Sequence, residues 1–345
     1  MRKSFIFFPC LILILFTRCK KESSQPQPGP PLPYNVYISG STGSGNSTQA
    51  VYWKNDTMHT LASGGLPSLA GNIIYSDSDV YVSGVKGDST GYWKNGVFVS
   101  LNDTTNYGDL IAVSGTNIYA TINTKNGNIY RGGYYKNGQY SRISSVDSVS
   151  TLVTSIAVRG QDLLIGYTET NGTKPAVAKY WLNGLNFTLS DGTRPAYVFG
   201  VAFDGSDIYA VGAELDTVKG FSTAKYWKNG VPTNVSDTTG YNVGLNIVIS
   251  GTDIYVAGYG HDGSVSSGNK DAARYWKNGT AATITDGVYE AKATSLAITG
   301  SDVFVIYQEF QNGASNSANY VKNGNKLTLK SPSPAVASYC FITPP

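Results

Sequence analysis

Histidine and cysteine, the side chains most used to hold metals and to act as bases or nucleophiles, are scarce in this chain. It has two histidines and three cysteines in 345 residues. Cys10 and Cys19 lie in the N-terminal segment, so Cys340 is alone in the rest and no internal disulfide is available there. An excess of one charge is missing too. Arg2, Lys3 and Arg18 account for the whole net charge of +3, and without them 23 basic residues face 23 acidic ones. A nucleic-acid groove needs a positive footprint, so nucleic acid is excluded as an expected partner. Long hydrophobic runs are absent as well. Phe5–Phe16, interrupted by Pro9 and Cys10, is too short to span a membrane.

What stands at the N-terminus reads as an export signal over residues 1–18, with Arg2 and Lys3 as its basic start. Cys19 follows the apolar run. Residues 22–33, Glu-Ser-Ser-Gln-Pro-Gln-Pro-Gly-Pro-Pro-Leu-Pro, cannot form a core and favour extended conformations. We therefore expect a signal peptide (1–18), a lipidated Cys19 opening a proline-rich tether (19–33), and a folded body (34–345).

The body repeats one phrase seven times. Variants of Tyr-Trp-Lys-Asn-Gly begin at Tyr52, Tyr92, Tyr134, Tyr180, Tyr226, Tyr275 and Tyr320, at steps of 40, 42, 46, 46, 49 and 45 residues. Each is preceded by a strand-like phrase of the type Asp-Ile-Tyr-Val-Ala-Gly. Around Tyr226 four strands are legible: 197–203, a turn at 204–206, 207–212, 224–228, the Asn229-Gly230 hairpin, and 231–235. Four short strands per period predict an all-β, seven-bladed β-propeller of four-stranded blades. The chain enters on a second-type strand, 36–40, and leaves on a first-type strand, 337–342. The expectation is a ring closed by the N- and C-terminal strands. Trp53, Trp93, Trp181, Trp227 and Trp276 share one repeat position, matched by Tyr135 and Val321, and are expected to bury against the next blade.

The marks Cys19-Lys20-Lys21 and the Tyr-Trp-Lys-Asn-Gly repeats resemble repeat-containing lipoproteins of the Bacteroidota with β-propeller bodies. Arg18 departs from the small residue usual before the lipidated cysteine. The resemblance implies an exported outer-membrane lipoprotein, facing the periplasm or the cell surface, whose acylated Cys19 has membrane lipid as its partner.

Chemistry is sought in the connections that vary. The fourth-to-first loops share an Asp and a Tyr: Asp103 with Tyr107, Asp191 with Tyr197, Asp237 with Tyr241, Asp286 with Tyr289. Converging carboxylates and aromatic faces suit a polyol; an Asp capping its own turn is the plainer reading. Lys179, Lys225 and Arg274 precede three repeated tyrosines, either as a basic stripe or as solvated strand positions. His261-Asp262 supplies two of the four ligands a zinc site needs, so no metal and no cofactor are expected, although calcium in a central channel stays open. The first functional expectation is a lipid-anchored envelope binding module for carbohydrate or another envelope ligand. The alternative is a structural or protein-interaction scaffold in an outer-membrane complex. A glycan-active enzyme ranks third, because no residue pattern requires catalysis.

Overall fold

The computed structural model describes residues 34–344, apart from 104–105, 108–109, 145–147, 264–267, 312 and 314–316, and without the side chains of 102, 103, 106 and 107. Residues 1–33, with the expected export signal, Cys19 and the tether, lie outside the described residues. Residues Tyr34–Pro345 form one compact unit. Among the described residues no helix is long and apolar enough to cross a membrane.

Each repeated phrase belongs to a unit of four antiparallel strands, numbered here as repeats 1 to 7 in the order of their tyrosines; in repeat 3 the first strand is described as two pieces, Asn106–Tyr107 and Ile111–Ser114. Repeat 5 is Ala196–Asp204, Asp207–Asp216, Phe221–Lys228 and Val231–Asn234. Repeat 1 takes its first strand, Ala335–Thr343, from the C-terminus and its others, Asn35–Thr42, Gln49–Lys54 and Thr57–Thr60, from the beginning of the body.

The expected seven-bladed propeller with its ring closed by the terminal strands is corrected by the sheets. Among the described residues they number five, of four, nine, eight, four and four strands, and none of these closes into a ring. Repeats 3 and 4 merge through one parallel bridge, Arg131↔Thr151, and repeats 5 and 6 through Ser222↔Tyr241. Pairing of Asn35–Thr42 with Ala335–Thr343 completes one four-stranded sheet and nothing wider. The physical reason is that strand ladders are spent within repeats, whereas neighbouring repeats meet through side chains.

The repeated phrase is a hydrogen-bonded clamp. In all seven repeats its Asn takes a positive φ of 47–50°. The Asn Oδ1 then accepts the N–H of a second-strand residue at 2.8–2.9 Å, from Val36 in repeat 1 to Val303 in repeat 7. Its Nδ2 donates to the Asp or Asn that opens the second strand: Asn35, Asp79, Asn117, Asp162, Asp207, Asp253 or Asp302. In six repeats the lysine beside it lies over a second-strand aromatic ring, as Lys228 does over Tyr209 at 5.3 Å; repeat 4 has Leu182 there. One short motif thus ties the third-to-fourth turn to the first-to-second turn.

The five tryptophans are buried, Trp53 and Trp93 completely. They pack against the preceding repeat, not the next as expected. Trp227 of repeat 5 joins Leu164, Ala178 and Leu189 of repeat 4, and Trp276 of repeat 6 joins Tyr209, Val211 and Ala224 of repeat 5. The indole N–H groups of Trp53 and Trp93 donate to Lys330 O and Ala62 O, both 2.9 Å away in the preceding repeat. Val321 fills the same role in repeat 7, buried against Tyr255 and Ala257.

Candidate functional site

The first strand of each repeat runs antiparallel to the second, so Ser68 pairs with Lys86 and Ala196 with Glu214. Fourth-to-first and second-to-third connections therefore leave from one end of the sheets. The Asp–Tyr loops lie at that end. Asp191 Oδ1 accepts from the Thr193 N–H at 2.9 Å and its hydroxyl at 2.7 Å, which hold the carboxyl below its usual range. Asp237 accepts from Thr239 N and Asp286 from Val288 N. Each of these three exposed carboxylates caps its own turn. Tyr197 stacks beside Phe199 with ring centroids 6.2 Å apart. Tyr241 stacks on His261 at 5.5 Å, and burial raises the pKa of its hydroxyl. Tyr289 is exposed. The side chains of Asp103 and Tyr107 lie outside the described residues.

His261 is buried with its Nδ1 2.8 Å from Asp271 Oδ1. Burial raises the Asp271 carboxyl against the opposing pull of that contact. Asp271 N donates to Glu290 at 3.0 Å, joining the pair to repeat 7. Among the described residues no group of three or more His, Cys, Asp or Glu could hold a metal ion. The Cys340 thiol is buried, its pKa pushed up to about 12. Lys179 and Lys225 form neither a stripe nor a solvated row: they pair with Glu169 at 2.8 Å and Glu214 at 2.9 Å. Arg274 reaches Asn242 at 3.3 Å and Asp262 at 3.6 Å.

A feature missed in the sequence sits between the first strands. In repeats 4 to 7 the ladder slips by one residue at Thr154, Phe199, Leu245 and Thr294, and repeats 1 and 2 have related slips near Ser338 and Gly71. A bulge re-aims side chains, and those four residues line a cavity of about 390 Å³. Asn72, Asn123 and Tyr339 bring the remaining repeats to the same space. One trace of the bulges is legible in the second-strand glycines Gly40, Gly84, Gly212 and Gly258. A Cβ on Gly212 would lie 1.8 Å from Tyr197 O, so the carbonyl thrown inward before the bulge leaves room only for glycine.

The same region joins the repeats. Asn123 Oδ1 accepts Val153 N–H at 2.7 Å and its Nδ2 donates to Val153 O at 2.9 Å. Asn72 holds Ile111 in the same two-bond way. Ser39 donates to Gly71 O, Thr154 to Val198 O, and Thr294 to Ser338 O. Asn246 accepts from Leu296 N and donates to the Tyr339 hydroxyl at 3.0 Å.

No family model matches the chain, and no curated protein matches it. Solved structures do. A puromycin-hydrolyzing peptidase of Mycobacterium tuberculosis superposes with a TM-score of 0.56 at 11% identity, over 85% of this chain and 53% of that one. A puromycin hydrolase gives 0.57 at 9% identity, over 89% and 55%. The acylaminoacyl peptidase of Pyrococcus horikoshii gives 0.54 at 10%, over 86% and 51%. The chain spans about half the length of these proteins. At such identities the likeness shows the fold alone: an all-β domain resembling part of several peptidases.

Proposed function

We propose that the folded unit is a non-catalytic interaction module whose protein partner docks on the loop-bearing end. The observation that carries this reading is where the large exposed apolar side chains fall among the described residues. Seven of them, including Val97, Leu185 and Val231, sit on fourth strands and follow the repeat. The other six, Leu66, Leu69, Leu152, Val218, Val288 and Tyr289, belong to loops or first-strand starts at one end. Leu69 is 55% exposed, Val288 61% and Val218 94%. Aliphatic side chains held out by a rigid scaffold serve protein contact better than polyol contact. The fold likeness to part of larger proteins is in keeping with a module. Within this reading Cys19 is the lipidated residue, 19–33 the tether and the outer membrane the location.

The test is recovery of cross-linked partners from intact envelopes. Leu69→Ser, Leu152→Ser and Val288→Ser combined should abolish a partner that Val97→Ser, Leu185→Ser and Val231→Ser combined leave in place. Equal recovery with both variants would end the proposal. Carbohydrate capture at the Asp–Tyr loops is the second reading, favoured by Asp286 and Tyr289 standing exposed in one turn. A glycan array probed with the full chain and with Tyr289→Ala decides it: binding that the substitution does not weaken counts against it.

A further inference from the structure

We propose that the cavity between the first strands is a binding site for one small, uncharged polyhydroxyl molecule, a monosaccharide or cyclitol in size and chemistry. Its volume of about 390 Å³ is at the small end of ligand pockets, which run from about 300 to 1,000 Å³. Among the described residues no Asp, Glu, Lys or Arg lines it. An anion or cation entering it would lose water with no opposite charge in return. A neutral molecule does not meet that cost.

The wall offers both kinds of hydrogen-bonding group. Thr154 and Thr294 spend their protons on Val198 O and Ser338 O, and so present oxygen lone pairs. Tyr339 accepts from Asn246 and keeps its own proton, since burial pushes the phenol pKa up to about 12. The Nδ2 groups of Asn72 and Asn123 each have a second N–H beyond the bond to the neighbouring repeat. Hydroxyl groups, which donate and accept at once, match such a mixed wall. Phe199 and Leu245 supply apolar surface for the C–H face of a ring.

The experiment uses the full chain in detergent with a set of hexoses, pentoses and cyclitols, read by saturation-transfer NMR and calorimetric titration. Glucose 6-phosphate and calcium chloride are the charged probes. At least one neutral member should bind saturably, and the charged probes should not. Tyr339→Phe, which removes the phenol hydroxyl from the wall, should weaken that binding about fivefold, the worth of one hydrogen bond, with a cooperative melt showing that the variant still folds. Phe199→Leu should weaken it as well. The proposal is overturned if no neutral probe binds, if a charged probe binds more tightly, or if Tyr339→Phe leaves affinity unaltered. A cavity that holds ordered water alone gives the first of these results. None of these outcomes bears on the loop-end docking surface.

Discussion

Replacing Asn123 with alanine would cut the join between repeats 3 and 4 without touching any strand ladder. Its carboxamide makes two bonds to one residue, from Val153 N at 2.7 Å and to Val153 O at 2.9 Å, and both residues are buried. Truncation strands a backbone N–H and a C=O, each worth about 1–3 kcal/mol when left unsatisfied. Asn123 and Val153 also line the cavity, where water can reach the freed groups. That pulls the sum toward its lower end, about 2–4 kcal/mol. Urea unfolding followed by tryptophan fluorescence measures the loss as a lower midpoint at constant slope. Asn72→Ala acts at a different junction, on Ile111, so the two losses should add to within about 0.5 kcal/mol. A cost for Asn123→Ala below about 1 kcal/mol would refute the idea that side-chain clamps hold the repeats together.

Other outcomes follow from the same geometry. Gly212→Ala places a Cβ 1.8 Å from Tyr197 O and should cost about 2 kcal/mol or more by overpacking; calorimetric melting checks it, and a neutral result contradicts the bulge geometry. Trp227→Ala empties the contact with repeat 4 and should cost about 3–5 kcal/mol in the same assay. Hydrogen bonds from Lys94, Lys228 and Lys277 hold Asp79, Asp207 and Asp253 below the usual carboxylate range. Their folded pKa values are depressed, so their stabilisation is present above the unfolded pKa and lost as pH falls through the folded one. Asp79→Asn, Asp207→Asn and Asp253→Asn combined, imitating the natural Asn35 and Asn117, should flatten the acid limb of the stability–pH curve. The proposed lipidation of Cys19, which rests on the sequence alone, predicts that Cys19→Ser moves the protein from the membrane to the soluble fraction and abolishes labelling by radioactive palmitate.

Much of the scaffold was legible because it recurs. The turn Asn recurs at one register in all seven repeats, followed by Gly in six of them, and tryptophan recurs at its register in five. The side on which each tryptophan packs was not legible, since burial alone does not say which neighbour supplies the wall. Sheet connectivity was misjudged for a related reason. Matching terminal strands predict that the ends meet, but hydrogen bonds stop at each repeat or spill over at a single bridge. The junctions hid because no residue type holds one position through all repeats: Thr154 and Thr294 stand where Phe199 and Leu245 do, Asn72 and Asn246 where Ser155 and Gly200 do, and Ser39 and Asn123 act from second strands. Of the loop residues, the turn-capping role of Asp191, Asp237 and Asp286 was written in the Asp-x-Thr and Asp-Gly-Val spacings. The bulges that shape the cavity left only the second-strand glycines as a trace.

The claim that the loop end is the working surface is tested most directly by site-specific photo-crosslinking in living cells. A photoreactive side chain at position 69 or 288 is predicted to yield a discrete partner adduct, while the same group at 97 or 185 yields none. Adducts from the fourth-strand positions with silence at 69 and 288 would contradict the account.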